Sequence, residues 1–350
     1  MDLGSAPRAP QCAQADVSGR GPSPLGLSGG RVPGGGGLRG HYYNLRFSAR
    51  SGVAAVRGAQ RAVGVLNYLE EAAERLNSVV PVKFTISSRT DAGVHALCNT
   101  AHLDIQRRSG RPPFPPEVLA QALNTHLKHP AIRVLQAFRV PSDFHARYAA
   151  TSRTYLYRLA TGCLQSEQLP VFERSLCWAL RPDYLDVDAM REAAQHLLGT
   201  HDFSAFQSAG SPATSSVRTL HRVSVSLGPA SPYVLPQESR RLRFWNLEFE
   251  SQSFLYRQVR RMTAVLVAVG LGVLLPAQVK MILESRDPLG KHQAHVAPAH
   301  GLFLKSVLYG SLRESGPSSC ILQGVQCESY RDPGPSAEVN PVTALQHSRH

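Results

Sequence analysis

Residues 88–96 read Ser88-Arg89-Thr90-Asp91-Ala92-Gly93-Val94-His95-Ala96. A carboxylate stands two residues after an arginine and beside a hydroxyl, and Gly93 permits a turn that lets the acid project from a strand end into a cleft. An arginine partner favours the charged form of such an acid and still leaves it open to substrate. An isolated R-T-D triplet has a plainer reading, in which Asp91 caps a turn and Arg89 makes a surface pair. The surroundings therefore decide.

Upstream, RAVGVLNYLEEAAERL (61–76) repeats Val63, Leu66, Leu69, Ala73 and Leu76 at helical spacing, and VKFTI (82–86) predicts a short strand leading into the motif. Downstream, 117–127 predicts a helix and 132–140 a strand. Residues 154–159 alternate, with Tyr155, Tyr157 and Leu159 on one face, and RLRFWNLEFE (241–250) alternates likewise. Helical patterns cover 187–198 and 254–275, and GLFLKSVLY (301–309) returns to strand. Helices and strands mixed without a strict βαβ rhythm predict an α+β fold, with mixed or antiparallel sheets flanked by helices, rather than a doubly wound one. The expected organisation is a Gly/Pro-rich N-terminus over 1–40, two halves of one catalytic unit over 41–150 and 151–310, and a polar tail over 311–350. Both ends carry too few apolar side chains to offset the entropy of ordering, and disorder is expected there.

The chain has 350 residues and a formal charge of +13, which concentrates polyanions at its surface and makes nucleic acid the default partner. Charge alone fits mere solubility equally well. Its six cysteines form no C-x-x-C pair, which points to a reducing compartment rather than a disulfide framework. The apolar run 262–275 is too short to cross a bilayer, so no membrane span is expected. His292, His295 and His300 lack a matching set of cysteines or carboxylates, and no metal site is expected from them. The arginines of 1–40 are compatible with a mitochondrial transit peptide, with the cytoplasm and nucleus as open alternatives.

The nine-residue string resembles the R-T-D-A-G-V-H-A motif of the tRNA pseudouridine synthase A family, and further blocks follow in that family's order. These are Asp143-Phe144-His145-Ala146-Arg147, then Ala150-Thr151-Ser152-Arg153-Thr154-Tyr155-Leu156-Tyr157, and Gly199-Thr200-His201-Asp202-Phe203-Ser204-Ala205-Phe206. Val217-Arg218-Thr219, Phe254-Leu255-Tyr256-Arg257-Gln258-Val259-Arg260 and Ala297-Pro298-Ala299-His300-Gly301-Leu302 complete the set, so the likeness covers about 52–309. It implies the pseudouridine synthase fold with its active site in a central cleft, an isomerase acting on uridine in RNA, and tRNA as the RNA. It also implies Asp91 as the attacking residue, Tyr155 as the active-site tyrosine and Arg260 as the partner of Asp91. The bacterial family is typically a symmetric dimer, so a homodimer is a further expectation.

Physical reasons stand beside these roles. Moving uracil from an N- to a C-glycosidic bond requires cleavage at C1′, where a carboxylate can attack or assist departure of the base. Nothing external is oxidised, reduced or transferred, so no cofactor is implied. Tyr155 offers a flat face to uracil and a hydroxyl near its C5 proton, although on residues alone an inward tyrosine of an alternating strand is core. Arg260 suits a carboxylate because its guanidinium makes two parallel bonds. Arg257, Arg260 and Arg261 share a helical face and suggest a phosphate-binding stripe. Arg89 is expected to face the RNA, and His201 to orient it, whereas Asp202 reads as a turn cap and Phe203 and Phe206 as core.

The sequence departs from the family at its start. HYYNLRFSARSGVAAVRGAQ (41–60) lacks the family's Tyr-Asp-Gly turn, so the first strand is either supplied by the divergent 42–47 or missing, and Leu66 replaces a glutamine of the first helix. Two competing readings follow: a binding protein of the same fold that has lost turnover while attached to a ribosomal or RNA-processing assembly, and a glycosidase. The glycosidase needs a second acid near the motif. The best local candidate, Asp104, lies in a different pattern.

Overall fold

The computed structural model describes residues 41–50, 64–108, 111–163, 169–208, 213–234, 241–287 and 296–310. The expectations for 1–40 and 311–350 fall outside these residues.

In the divergent stretch after Gly40, Tyr43, Leu45 and Phe47 alternate with more polar neighbours, and all three are fully buried. This period of two makes a strand with one face on a core. The strand is β1 (His41–Ala49), so the unusual sequence does supply the opening strand. β1 pairs antiparallel on one side with β3 (His95–Ile105) and on the other with β4 (Ile132–Arg139). Helices α1 (Val65–Glu74) and α2 (Pro116–Leu127) cover its apolar face through Leu69, Ala73, Leu119 and Leu123. Pro116 at the first turn of α2 costs no backbone bond, because that N–H has no helical partner. Leu66 packs against this core, so an apolar contact stands where the family has an amide.

The second half is built on β5 (Ala150–Thr161), β7 (Gly199–Asp202), β8 (Val217–Leu227), β9 (Arg243–Ser251) and β10 (Leu302–Tyr309). Its helices are α3 (Val187–Gln195), α4 (Gln258–Gly270) and α5 (Pro276–Ser285). Asp186 caps α3, its Oδ1 accepting from Ala189 N at 2.9 Å. α4 is apolar on almost every side, and Val259, Met262, Ala264, Val265, Leu266, Val267 and Val269 are all buried, as a helix hydrophobic all round must be. Gly270 lets α3 come close, since a Cβ there would stand 2.6 Å from Met190 Sδ.

The continuous helix expected over 254–275 is shorter at both ends. Arg257 adopts a left-handed conformation (φ 61°), and the Gln258 side chain accepts from Leu255 N at 2.8 Å, so the helix starts only at Gln258. Gly272, at φ 71°, follows its end, and Pro276 opens α5, a helix hidden from the sequence by the unbroken apolar run before it. The strand expected over 82–86 shrinks to β2 (Thr85–Ile86), which pairs antiparallel with β3, Thr85 opposite His102 and Ile86 opposite Ala101.

The strands form one open sheet in the order β4-β1-β3-β10-β5-β9-β8-β7, with β2 beside β3 and β6 (Trp178–Ala179) beside β5. β10 and β3 meet in parallel at the seam between halves, Phe303 opposite His95 and Leu304 opposite Ala96. This is a mixed sheet flanked by helices, as the sequence predicts. Among the described residues no helix is long and apolar enough to cross a membrane.

Candidate active site

The 88–96 motif lies at this seam. Ser87 N donates to Thr100 O at 2.8 Å and Asn99 Nδ2 to Ser88 O at 2.9 Å, which tie the incoming chain to β3. A turn then closes with Val94 N donating to Asp91 O at 3.1 Å. Gly93 takes φ 81° in it, a value that side chains disfavour, and a Cβ there would also stand 3.2 Å from Ala299 Cβ. Val94 and Ala96 belong to the core of the second half. The turn thus hangs from the first half and is seated on the second.

Asp91 projects from that turn with its side chain 23% exposed. Arg260, on the first turn of α4, donates through Nη1 to Asp91 Oδ2 at 3.3 Å, across 169 residues of sequence. The arginine is itself held: its Nε donates to Ala297 O at 2.7 Å, and Ala297 N donates to Arg260 O at 3.2 Å. Tyr157 OH donates to Pro298 O at 2.8 Å, and a Cβ on Gly301 would stand 2.8 Å from the Tyr157 ring. The closing block 297–302 therefore works as a clamp that fixes Arg260, backs the Asp91 turn and rests on β5.

A family model described as tRNA pseudouridine synthase matches residues 53–149 and 193–310, more than half of the chain. The chain belongs to the tRNA pseudouridine synthase family. It is 79% identical to human tRNA pseudouridine synthase-like 1 over 289 residues, 83% of this chain and 94% of the human protein. It is 50% identical to the protein of the same name from Xenopus laevis, over 79% of this chain and 92% of that protein. A bacterial relative, tRNA pseudouridine synthase A of Caulobacter sp. (strain K31), is 36% identical over 75% of this chain and 92% of its own length. Members of this synthase family are isomerases, and the chain is an enzyme of that class.

The remaining residues singled out in the sequence fall in several places. Tyr155 lies on β5 with its ring edge-on to Phe254, centroids 5.3 Å apart, and burial pushes its hydroxyl up to about 12. It is therefore a neutral phenol at physiological pH, and it reads as part core and part site wall. Arg89 points to solvent. The proposed stripe of three arginines does not form as one surface: Arg257 caps α4 with its guanidinium 4.8 Å from the Tyr256 ring centroid, Arg260 turns inward to Asp91, and Arg261 Nε donates to Ser208 Oγ at 2.9 Å. The left-handed backbone at Arg257 takes it off the helical spacing that the sequence suggested.

His201 lies on β7, its Nε2 2.6 Å from Leu198 O and its ring against Phe203. Among the described residues these contacts keep it apart from the Asp91 cluster. Asp202 Oδ1 accepts from Ser204 N at 2.9 Å, and Phe203 and Phe206 are fully buried, so these three are cap and core. Asp104 sits near the opposite end of β3 from the turn, roughly 25–30 Å along the strand from His95. Paired glycosidase carboxylates stand within about 10 Å of each other, so Asp104 cannot be the second acid. Among the described residues no cluster of three or more His, Cys, Asp or Glu side chains could hold a metal.

A further buried cation, Arg153, organises the surroundings of the turn. It is only 7% exposed, and among the described residues it makes no ion pair. Its Nε donates to Ser88 Oγ at 2.8 Å, Nη2 to Arg147 O at 2.8 Å and to Ser87 O at 3.2 Å, and Nη1 to Gln252 O. Burial lowers its pKa from the ordinary arginine value. One guanidinium thus holds the strand entering the Asp91 turn, the 143–148 segment and the end of β9. Its place in an R-x-Y string two residues before Tyr155 was the available signal. Arg153→Met strands these acceptors and is expected to lower unfolding stability by about 3 kcal/mol. Lysine, with three donors and no planar fork, should recover only part of this. Urea titration of both variants checks it, and a loss below about 0.5 kcal/mol for Arg153→Met would show that these bonds contribute little.

Proposed function

We propose that this protein isomerises uridine to pseudouridine within RNA, with tRNA as the substrate class and Asp91 as the nucleophile. The observation that carries the reading is an accessible carboxylate in a turn fixed by both halves of the fold, oriented by an arginine that is itself clamped. The carboxylate oxygen bonds to C1′ as the N1–C1′ bond breaks, and the uracil leaves with that electron pair. After the ring turns, C5 bonds to C1′ and the Asp91 ester bond breaks. C5 then gives up its proton and N1 gains one, so the product is an isomer and no co-reactant is consumed. Tyr155 enters as a flat, neutral surface for the ring; as a neutral phenol it does not hold the C5 proton, and its hydroxyl is suited only to relay that proton onward, giving up its own as it takes one. Arg89 and Arg257, both exposed, are suited to phosphate contact while the target nucleotide is held out of its stack. The names of the relatives support tRNA as the substrate.

The test is to map pseudouridine in tRNA and other RNAs from cells lacking the protein, then to restore wild type or Asp91→Asn. Sites that vanish and return only with wild type support the proposal. RNA that is bound but carries the same pseudouridines with and without the protein would favour the binding-only reading.

Phosphate contact by a basic surface gives a second expected outcome. Two or three contacts predict a slope of about −2 in log affinity against log salt concentration, and Arg257→Glu should weaken different RNAs alike. Filter binding across a salt series measures both, and a flat dependence is the contrary result.

A further inference from the structure

The segment 143–148 is held unusually firmly for a surface loop. Ala146 N donates to His102 Nδ1 at 3.0 Å, Tyr309 OH to Ala146 O at 2.8 Å, and Arg153 Nη2 to Arg147 O at 2.8 Å. His145 Nδ1 accepts from Arg147 N at 3.2 Å and from Tyr148 N at 3.4 Å, so its ring is locked to the backbone. Against that ring lies Tyr148, centroids 4.3 Å apart and planes inclined by 32°, with 75% of the tyrosine open to solvent. The Arg147 guanidinium stands 5.8 Å from the Tyr148 ring centroid and is exposed.

A tyrosine this exposed gains little from burial, yet its backing is rigid. A fixed aromatic face beside an exposed cation matches what an unstacked nucleobase and its phosphate require, and the ordering has already been achieved by the loop. The position is specific as well. Arg153 joins the Arg147 carbonyl directly to Ser87 and Ser88, so this face is one buried side chain away from the strand that enters the Asp91 turn.

We propose that Tyr148, stacked on His145, is a platform for an unpaired RNA base flanking the target uridine, with Arg147 on the adjoining phosphate. This rests on RNA being the substrate but not on turnover. The platform supplies the stacking that the neighbouring base loses when the target leaves the helix. It also makes the Arg153 network the link that sets the distance between the flanking base and Asp91.

The test uses a stem-loop RNA with 2-aminopurine beside a loop uridine, titrated with wild type, Tyr148→Ala and Tyr148→Phe, together with steady-state kinetics on bulk tRNA. Stacking quenches 2-aminopurine. Wild type and Tyr148→Phe should quench it, Tyr148→Ala should not, and Tyr148→Ala should raise KM about tenfold with kcat little changed. Tyr148 is exposed, so its loss leaves folding intact, and the phenylalanine variant checks this. Equal quenching by wild type and Tyr148→Ala, or none by either, overturns the platform. If the protein makes no pseudouridine but quenching still depends on Tyr148, the catalytic reading fails and the platform stands.

Discussion

Asp91→Asn should bind RNA within about threefold of wild type and make essentially no pseudouridine, a loss of about four orders of magnitude or more. An amide has the shape of the carboxylate but is a far weaker nucleophile toward C1′, and the proposed mechanism has no second acid to take its place. The fold should tolerate the change. Asp91 is partly exposed, the turn is closed by its backbone rather than its side chain, and Arg260 keeps its bond to Ala297 O. The change in stability is expected to stay below about 1–2 kcal/mol. Purified Asp91→Asn, assayed by carbodiimide detection of pseudouridine on an RNA that wild type modifies, decides the matter. Near-normal turnover would falsify the assignment of Asp91 as nucleophile.

The sequence made some of this arrangement legible and hid the rest for physical reasons. Period-two alternation marked β5 and β9, because each has one face on a core, and period-3.6 repeats marked α1 and α2. β3 was overlooked because its face away from the N-terminal helices carries Cys98, Thr100, His102 and Asp104, so its apolar pattern is diluted. α5 was overlooked because the apolar run from α4 continues through 271–275, where only Gly272 and Pro276 mark the break.

At the candidate site, Asp91, Tyr155 and Arg260 stand out in the sequence as motif positions, while the reasons for their neighbours do not. Gly93 is required by a positive φ and by its approach to Ala299, two facts that belong to opposite ends of the chain. Arg153 was invisible as an organiser because its acceptors are mostly backbone carbonyls, and carbonyls leave no trace in residue types. The supposed phosphate stripe assumed a helix beginning before Arg257, and one left-handed residue undid it.

Arg260→Ala carries the second large effect, and it tests whether the two halves of the chain are coupled at the active site. Arg260 spans three partners: Asp91 through Nη1, Ala297 O through Nε, and Ala297 N through its own carbonyl. Alanine keeps only the last of these. The Asp91 side chain then loses the donor that fixes its rotamer, and a nucleophile displaced by about 1 Å costs on the order of a hundredfold in rate. The Ala297 carbonyl also loses its donor, and a partly buried carboxylate is left without its counterion, so stability should fall by about 2–3 kcal/mol. Arg260→Lys separates charge from geometry. A lysine ammonium can neutralise Asp91 but cannot hold Asp91 and Ala297 O in one plane, so it should recover more stability than turnover. The comparison of kcat and urea midpoints for the two variants reads this directly. Turnover by Arg260→Ala at the wild-type rate would mean that Asp91 is positioned by its turn alone and that the contact between halves is structural.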